Sequence, residues 1–166
     1  YTADATSRDY GAANPTFTGS VSGFVNGDTQ ATATTGTLLF TSTANATSPV
    51  TTNNTKIIQY EITGSGLSAA NYSFVQATAN NTALTLNKIV ITYTAQPATK
   101  IDGAANPTFN AVFPGLANSQ TIDQVLSSFS YATTATVSSP VGSYPVTVNG
   151  LDAQNYTFAP AASNTT

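Results

Sequence analysis

The chain has 166 residues, of which 40% are hydrophobic and only 7% charged, with a net charge of −3 and no Cys, Met, His or Trp. Without Cys or His there is no disulfide, no thiolate or imidazole metal ligand, and no Ser-His-Asp or Cys-His catalytic arrangement. The four basic residues Arg8, Lys56, Lys88 and Lys100 leave no electrostatic footprint for nucleic acid, and no apolar run approaches the ~20 residues that would carry the segment through a bilayer as a helix.

The chain says nearly the same thing twice. Tyr1-Thr2-Ala3 through Asn14-Pro15-Thr16-Phe17 returns as Tyr93-Thr94-Ala95 through Asn106-Pro107-Thr108-Phe109, an offset of 92 that also matches Gly23 with Gly115, Asn26 with Asn118 and Thr29 with Thr121. Ser48-Pro49-Val50 then pairs with Ser139-Pro140-Val141. Residues 66–74 pair with 150–158 at an offset of 84. The offset falls because copy one carries extra residues around 51–56, a polar insertion expected in a surface loop, where added length costs little closure entropy. Copy one shows no counterpart of residues 89–92 and copy two none of residues 83–88, so the chain reads as part of a longer array. The expected modules are 1–88, with its first strand truncated, and 89–166, with its last strand absent.

Period-two alternation of β-branched and aromatic residues, punctuated by Gly, Pro and Asn, predicts strands. In copy one Leu84 and Leu86 share one face; in copy two Ile89, Ile91 and Tyr93 do, as do Val146 and Val148. Copy two is expected to form strands at 89–95, 108–113, 129–135, 143–148 and 156–159. Asn14 and Asn106, each before proline, are held out of the helical region and lead into the second strand through an extended or turn-like step. A short helix is expected in copy two, where Ile122, Val125, Leu126 and Phe129 recur at helical spacing, Asp123 lies early, and Asn118 or Ser119 could act as the cap. The matching stretch 27–34 of copy one is Thr-rich and only weakly amphipathic. The fold class that follows is mostly β: two tandem β-sandwich (immunoglobulin-like) or β-grasp-like modules, each with at most one short helix.

Tyr10-Gly11-Ala12-Ala13-Asn14-Pro15-Thr16-Phe17, Gly23-Phe24-Val25-Asn26-Gly27-Asp28-Thr29, Pro140-Val141-Gly142-Ser143-Tyr144 and the Gly-Leu-x-Ala-x-Asn-Tyr steps at 66–72 and 150–156 together resemble the MBG-type (YGX) tandem repeats of large bacterial cell-surface proteins and adhesins. The resemblance covers almost the whole chain and implies stacked β-rich modules in an extracellular protein, with no catalytic residues to carry over. Copy two departs from the pattern where Tyr10-Gly11 becomes Asp102-Gly103 and Asn26-Gly27-Asp28 becomes Asn118-Ser119-Gln120.

The residues nominate no enzyme. The seven acids, Asp4, Asp9, Asp28, Glu61, Asp102, Asp123 and Asp152, are scattered without the pairing that carboxylate catalysis needs. No catalytic, cofactor-binding or metal-ligating residue is expected. Asp152 near Asn149 and Asn155, and Asp4 near Asp9, lack a diagnostic calcium spacing and read as turn formers. Lys56 with Glu61, or Lys88, would have to be buried to form an isopeptide staple, and both residue types are rarely buried. The Thr-rich run 29–35 is not repeated in copy two, which argues against an ice-binding face. Tyr60, Tyr131 and Tyr144 could meet a surface glycan, but Tyr on strands more often packs; Tyr72 and Tyr156, matched in both copies, read as shared core. Asn-x-Ser/Thr triplets stand at Asn45, Asn53, Asn71, Asn80, Asn155 and Asn164.

The expected function is mechanical. Modules joined near 87–88 with almost no linker would align as a rod, a spacer or stalk at the cell surface whose partners are neighbouring copies of the same repeat. The alternative is a self-assembling filament or sheath subunit whose open sheet edges take strands from neighbours. A carbohydrate-binding adhesive module is the third reading.

Overall fold

The alternation of apolar and polar residues becomes a set of short strands in a computed structural model that describes residues 1–165. The chain divides into two compact units, Tyr1–Asn87 and Lys88–Thr166.

Unit 1 contains, in chain order, β1 (Thr2–Ala3), β2 (Thr6–Asp9), β3 (Gly19–Ser20), the single-turn helix α1 (Gln30–Ala33), β4 (Thr35–Thr41), β5 (Thr51–Thr52), β6 (Lys56–Ile57), β7 (Gln59–Tyr60), β8 (Thr63–Ser68), a 3₁₀ turn over Thr78–Thr82, and β9 (Leu84–Asn87). The last strand is the centre of a three-stranded sheet, parallel to β2 from Thr6↔Leu84 to Asp9↔Asn87 and antiparallel to β7 through Tyr60↔Leu84. Its alternation puts Leu84 and Leu86 inward, 0% and 1% exposed, and Val50 and Ile62 of the same unit are equally buried. Burying each leucine contributes roughly 1.5–3 kcal/mol. The remaining sheets are two-stranded antiparallel pairs, β1 with β3, β4 with β8, and β5 with β6.

The polar insertion is itself ordered. Instead of a plain loop it folds as the β5–β6 hairpin, with Thr55 N–H bonded to Thr52 O at 3.1 Å around Asn53 and Asn54, whose φ values are 49° and 61°. Asn tolerates this left-handed backbone, which matches the twist of a tight hairpin.

Unit 2 contains β10 (Ile89–Ala95), β11 (Ala111–Val112), the single-turn helix α2 (Ile122–Val125), β12 (Ser130–Thr133), β13 (Val146–Asn149), β14 (Tyr156–Pro160) and a 3₁₀ turn over Ala162–Thr165. Here β10 is central, parallel to β14 from Ile89↔Tyr156 to Tyr93↔Pro160 and antiparallel to β11. Ile91 and Tyr93 point into the core as the alternation requires. Phe113 sits at the middle of a ring cluster, 5.7 Å from Tyr93, 5.9 Å from Phe129 and 6.0 Å from Phe158 between centroids. An antiparallel β12–β13 pair completes the unit.

Both units are mostly β with one short α-helix, and both hold a mixed sheet in which an early strand runs parallel to a late one. That mixed pairing lies nearer to the grasp-like expectation than to the all-antiparallel sheets of an immunoglobulin sandwich. The expected strand at 108–113 shortens to Ala111–Val112, and 129–135 and 143–148 shorten to Ser130–Thr133 and Val146–Asn149. The expected helix of copy two also needs correction. Asn118 and Ser119 have φ of 54° and 56° and form a turn, and the cap is Thr121, whose N–H bonds Gln124 Oε1 at 2.9 Å. The helix ends after Val125, so Phe129 lies beyond it and joins the aromatic cluster instead. In copy one the capping box of Thr29 and Thr32 starts the same turn without an apolar stripe.

Candidate functional site

The positions weighed for chemistry are placed apart, and their polar atoms serve the scaffold. Asp4 accepts a hydrogen bond from Thr18 Oγ1 at 2.7 Å, and Asp9 meets Asn87 Nδ2 at 3.4 Å. Among the described residues no three acidic side chains converge on a point where a metal ion could sit. Lys88 Nζ donates to the Ala153 carbonyl at 2.8 Å, and Lys56 is exposed on the hairpin. The threonines of 29–35 turn toward backbone: Thr29 and Thr32 bond each other, and Thr34 Oγ1 bonds Gln30 O at 2.7 Å.

The same hydrogen-bonded devices recur at matched positions. Asn80 is fully buried; its Oδ1 accepts from Ala3 N–H at 2.8 Å, and its Nδ2 donates to Tyr1 O at 3.2 Å and Gln76 Oε1 at 2.9 Å. Asn164 does likewise in unit 2, with Ala95 N–H at 2.8 Å and Tyr93 O at 3.1 Å. Each amide thus gives an opening strand the donor and acceptor that a neighbouring strand would supply, meeting the demand that buried backbone groups be paired. Both asparagines begin Asn-x-Thr triplets, and their burial makes them structural clamps.

A second device closes the turn after the early strand. Asn14 Nδ2 donates to Ala44 O at 2.6 Å and Asn106 Nδ2 to Ala135 O at 2.7 Å. Beside them Arg8 donates to Asn14 Oδ1 at 2.7 Å and to Asn45 O at 2.6 Å, while Lys100 donates to Ala104 O at 3.1 Å and to Thr136 O. Burial lowers the Arg8 pKa from its ordinary value, yet a guanidinium stays charged at neutral pH. In a third device Tyr72 OH donates to Asp28 Oδ2 at 2.6 Å and accepts from Val25 N–H at 3.3 Å; Tyr156 OH donates to Gln120 Oε1 at 2.6 Å and accepts from Ala117 N–H at 3.0 Å.

Two of the three tyrosines weighed as glycan contacts belong to a fourth pair. Tyr60 OH donates to Pro49 O at 2.8 Å and Tyr144 OH to Pro140 O at 2.7 Å, while Tyr131 packs edge-on against Phe129 at 5.9 Å. Burial pushes the Tyr60 pKa up, with opposing pulls from Ser48 and Arg8. Sequence reasoning missed the Asn80/Asn164 clamp, the Asn14/Asn106 turn closure and the Asp28/Gln120 acceptors. The signal was there: Asn80 and Asn164 match at the offset of 84, and Asn14 and Asn106 at 92.

Unit 2 also carries an open groove of about 480 Å³, which runs between residues 98–101 on one side and Ser143 and Tyr144 on the other, with Val146 and Asn164 among its lining. Its volume falls in the range of ligand clefts, so the lining must decide what suits it. By the repeat offsets, residues 98–101 correspond to β2 and Ser143-Tyr144 to β7, the two strands that flank β9 in unit 1. Among the described residues, 98–101 and Ser143-Tyr144 belong to no strand ladder. Val141, the counterpart of Val50, is 94% exposed there, and Ile101 is 82% exposed.

No helix among the described residues is long and apolar enough to cross a membrane. No curated protein and no solved structure gave a significant match to the chain. The family described as MBG domain (YGX type) matches twice, over residues 1–85 and 91–166. Those two stretches carry the duplicated asparagine clamp, turn closure and tyrosine devices, and the chain belongs to the MBG domain (YGX type) family as a tandem pair of its repeats.

Proposed function

We propose that the chain is a non-enzymatic structural repeat of an extracellular bacterial surface protein, serving as a rod-like spacer or stalk that carries an adhesive region away from the cell. The observation that carries this reading is the duplication of four hydrogen-bonded devices at matched positions. Asn80/Asn164, Asn14/Asn106, Tyr72/Tyr156 and Tyr60/Tyr144 each tie backbone to side chain within their own unit. A repeat selected for chemistry would keep a reactive constellation in each copy; this one keeps scaffolding. Family membership supports the same reading, since these repeats are structural modules of surface proteins.

Small-angle scattering on chains of two, three and four repeats tests the reading. A maximum dimension that grows by a fixed increment per repeat is the expected result. Growth with the square root of repeat number, the behaviour of flexibly joined modules, would overturn it.

A further inference from the structure

We infer that Asn45 is an attachment site for an N-linked sugar, joined through its side-chain nitrogen and taken from a sugar diphosphate donor. The inference goes beyond the spacer reading and holds whether or not the repeats form a rod.

Six Asn-x-Ser/Thr triplets without a central proline stand in the chain, and the fold treats them unequally. Asn80 and Asn164 are buried, with both ends of each amide engaged in the clamps. Asn155 is half-buried, its carbonyl accepts from Ile89 N–H at 3.1 Å, and the next residue, Tyr156, is buried in β14. Asn53 is exposed at the hairpin turn, but the N–H and the hydroxyl of Thr55 both bond Thr52 O, at 3.1 and 3.2 Å. Asn71 is exposed as well, and the residue after it is held by the Tyr72 OH bond to Asp28.

The triplet at 45–47 is both open to solvent and closed on itself. Asn45 and Thr47 are exposed, and Asn45 Oδ1 accepts from Thr47 N–H at 2.9 Å and from Thr47 Oγ1 at 2.8 Å. Asn45 Nδ2 bonds none of the described residues. Arg8 pins the backbone beneath by donating to Asn45 O at 2.6 Å, so the acceptor is ordered before any enzyme meets it.

An amide nitrogen is a poor nucleophile because its lone pair is delocalised into the carbonyl. Loss of a proton from Nδ2 returns a pair to the nitrogen and puts negative charge on Oδ1. Two donors from Thr47 already stand at that oxygen, and donors placed where charge develops lower the cost of the step. Nδ2 then bonds the anomeric carbon as the bond from that carbon to the diphosphate oxygen breaks. The diphosphate leaves with the electron pair, the Nδ2 proton passes to a base of the transferase, and nothing is oxidised or reduced.

The fold itself does not require this amide. Unit 2 builds the matching turn from Thr136-Val137-Ser138-Ser139, where Thr136 N–H bonds Ser139 Oγ at 2.8 Å as Asn45 N–H bonds Ser48 Oγ at 2.9 Å. Thr136 Oγ1 lies 3.3 Å from Ser138 Oγ, in the place of the Asn45–Thr47 bond. A hydroxyl therefore serves the turn, and what Asn45 adds is an exposed amide nitrogen. A sugar there would hydrate the surface of a chain in which only 7% of residues are charged.

The test incubates the folded 166-residue chain with UDP-glucose and a soluble transferase that places glucose on Asn-x-Ser/Thr, and follows each asparagine by peptide-mapping mass spectrometry. Asn45 is expected to react about tenfold faster than Asn53, Asn71 or Asn155, a factor that one net hydrogen bond can supply, with Asn80 and Asn164 unmodified. In synthetic peptides spanning 41–49, 49–57 and 67–75 the preference should disappear. Ser48→Ala leaves the triplet intact but removes the acceptor of Asn45 N–H; it should slow Asn45 about threefold or more with the circular dichroism unchanged. Thr47→Val should abolish the reaction and Thr47→Ser retain it. The proposal is overturned if Asn45 stays unmodified, if Asn53 or Asn71 keeps pace with it in the folded chain, if the peptides show the same preference, or if Ser48→Ala leaves its rate unchanged. The scattering series uses unmodified chains, so the two readings fail separately.

Discussion

Val50 in unit 1 is 1% exposed and its counterpart Val141 in unit 2 is 94% exposed, although both follow the same Ser-Pro step and lie beside the same tyrosine-to-proline hydrogen bond. The reverse contrast holds at Tyr72, half-buried in unit 1, and Tyr156, 2% exposed in unit 2. In each case the unit with the buried residue has a strand ladder without a counterpart among the described residues of the other. Unit 1 has the β2–β9 ladder, and in unit 2 Tyr156 is itself the first residue of β14 in the five-residue β10–β14 ladder. The polar devices are formed in both units whichever ladder is present. Local hydrogen bonds at a turn or clamp thus survive differences in sheet content, whereas burial of an apolar side chain depends on a strand laid across it.

Paired substitutions in the full chain can break this comparison, with urea denaturation measuring stability and hydrogen exchange assigning any loss to a unit. The largest effect is expected at the clamp. Asn80→Ala strands the Ala3 N–H and the Tyr1 carbonyl and should cost about 3 kcal/mol, and Asn164→Ala, which loses one bond fewer, about 2 kcal/mol. Equal and negligible losses would mean that water replaces the amide.

Next come the valines. Val50→Ala should cost about 2 kcal/mol and Val141→Ala less than about 0.5 kcal/mol, because only the first removes buried methyl groups. A substantial loss at Val141 would contradict its exposure.

Two glycine substitutions probe the backbone. Gly66 has a φ of 89°, and an added Cβ would meet Thr37 O at 2.0 Å; at Gly150, with a φ of 81°, the nearest atom is Ser128 O at 3.1 Å. Gly66→Ala is expected to cost about 2 kcal/mol and Gly150→Ala about 1 kcal/mol, since both force Ala into a left-handed conformation facing a backbone oxygen but only the first brings the Cβ into outright overlap with it. A smaller gain should follow from Ser119→Gly. Ser119 has a φ of 56° where unit 1 has Gly27 at 80° with no atom near its Cβ position, so glycine there should stabilise unit 2 by about 1 kcal/mol.

The smallest effect is one of pH. The hydrogen bond to the Asp28 carboxylate is the main reason the Tyr72 pKa is raised above its ordinary value of about 10. The fold favours the neutral phenol, so its contribution is full below pH ~10 and is lost as pH rises through the folded-state value. Melting curves from pH 9 to 11 should show unit 1 weakening, with Tyr72→Phe flattening the dependence. A steeper dependence in Tyr72→Phe would refute the assignment.

The alternation of Leu84 with Leu86 and of Ile91 with Tyr93 was enough to mark the central strands, because a period of two has one meaning when the flanking residues are turn formers. The duplicated motifs also marked the two repeats and the matched aromatics. Where those strands pair, and in which direction, could not be read from 84–87 or 89–95, since neither stretch carries a mark that distinguishes a parallel neighbour from an antiparallel one. The helix cap moved from Asn118 or Ser119 to Thr121 because Asn and Ser suit turns as well as caps, and positive φ at both puts them in a turn, whereas a cap takes the extended backbone that Thr121 has. The Asn80 and Asn164 clamps looked like surface triplets because a side-chain amide shows its worth only when buried backbone groups stand around it. The groove beside 98–101 likewise had no local signature. By itself the sequence determined what recurs locally: strand alternation, turn residues and the repeat. Tertiary structure alone decided which strand covers which face, because that choice depends on contacts between residues as far apart as Thr6 and Leu84, and no local pattern encodes such a distance.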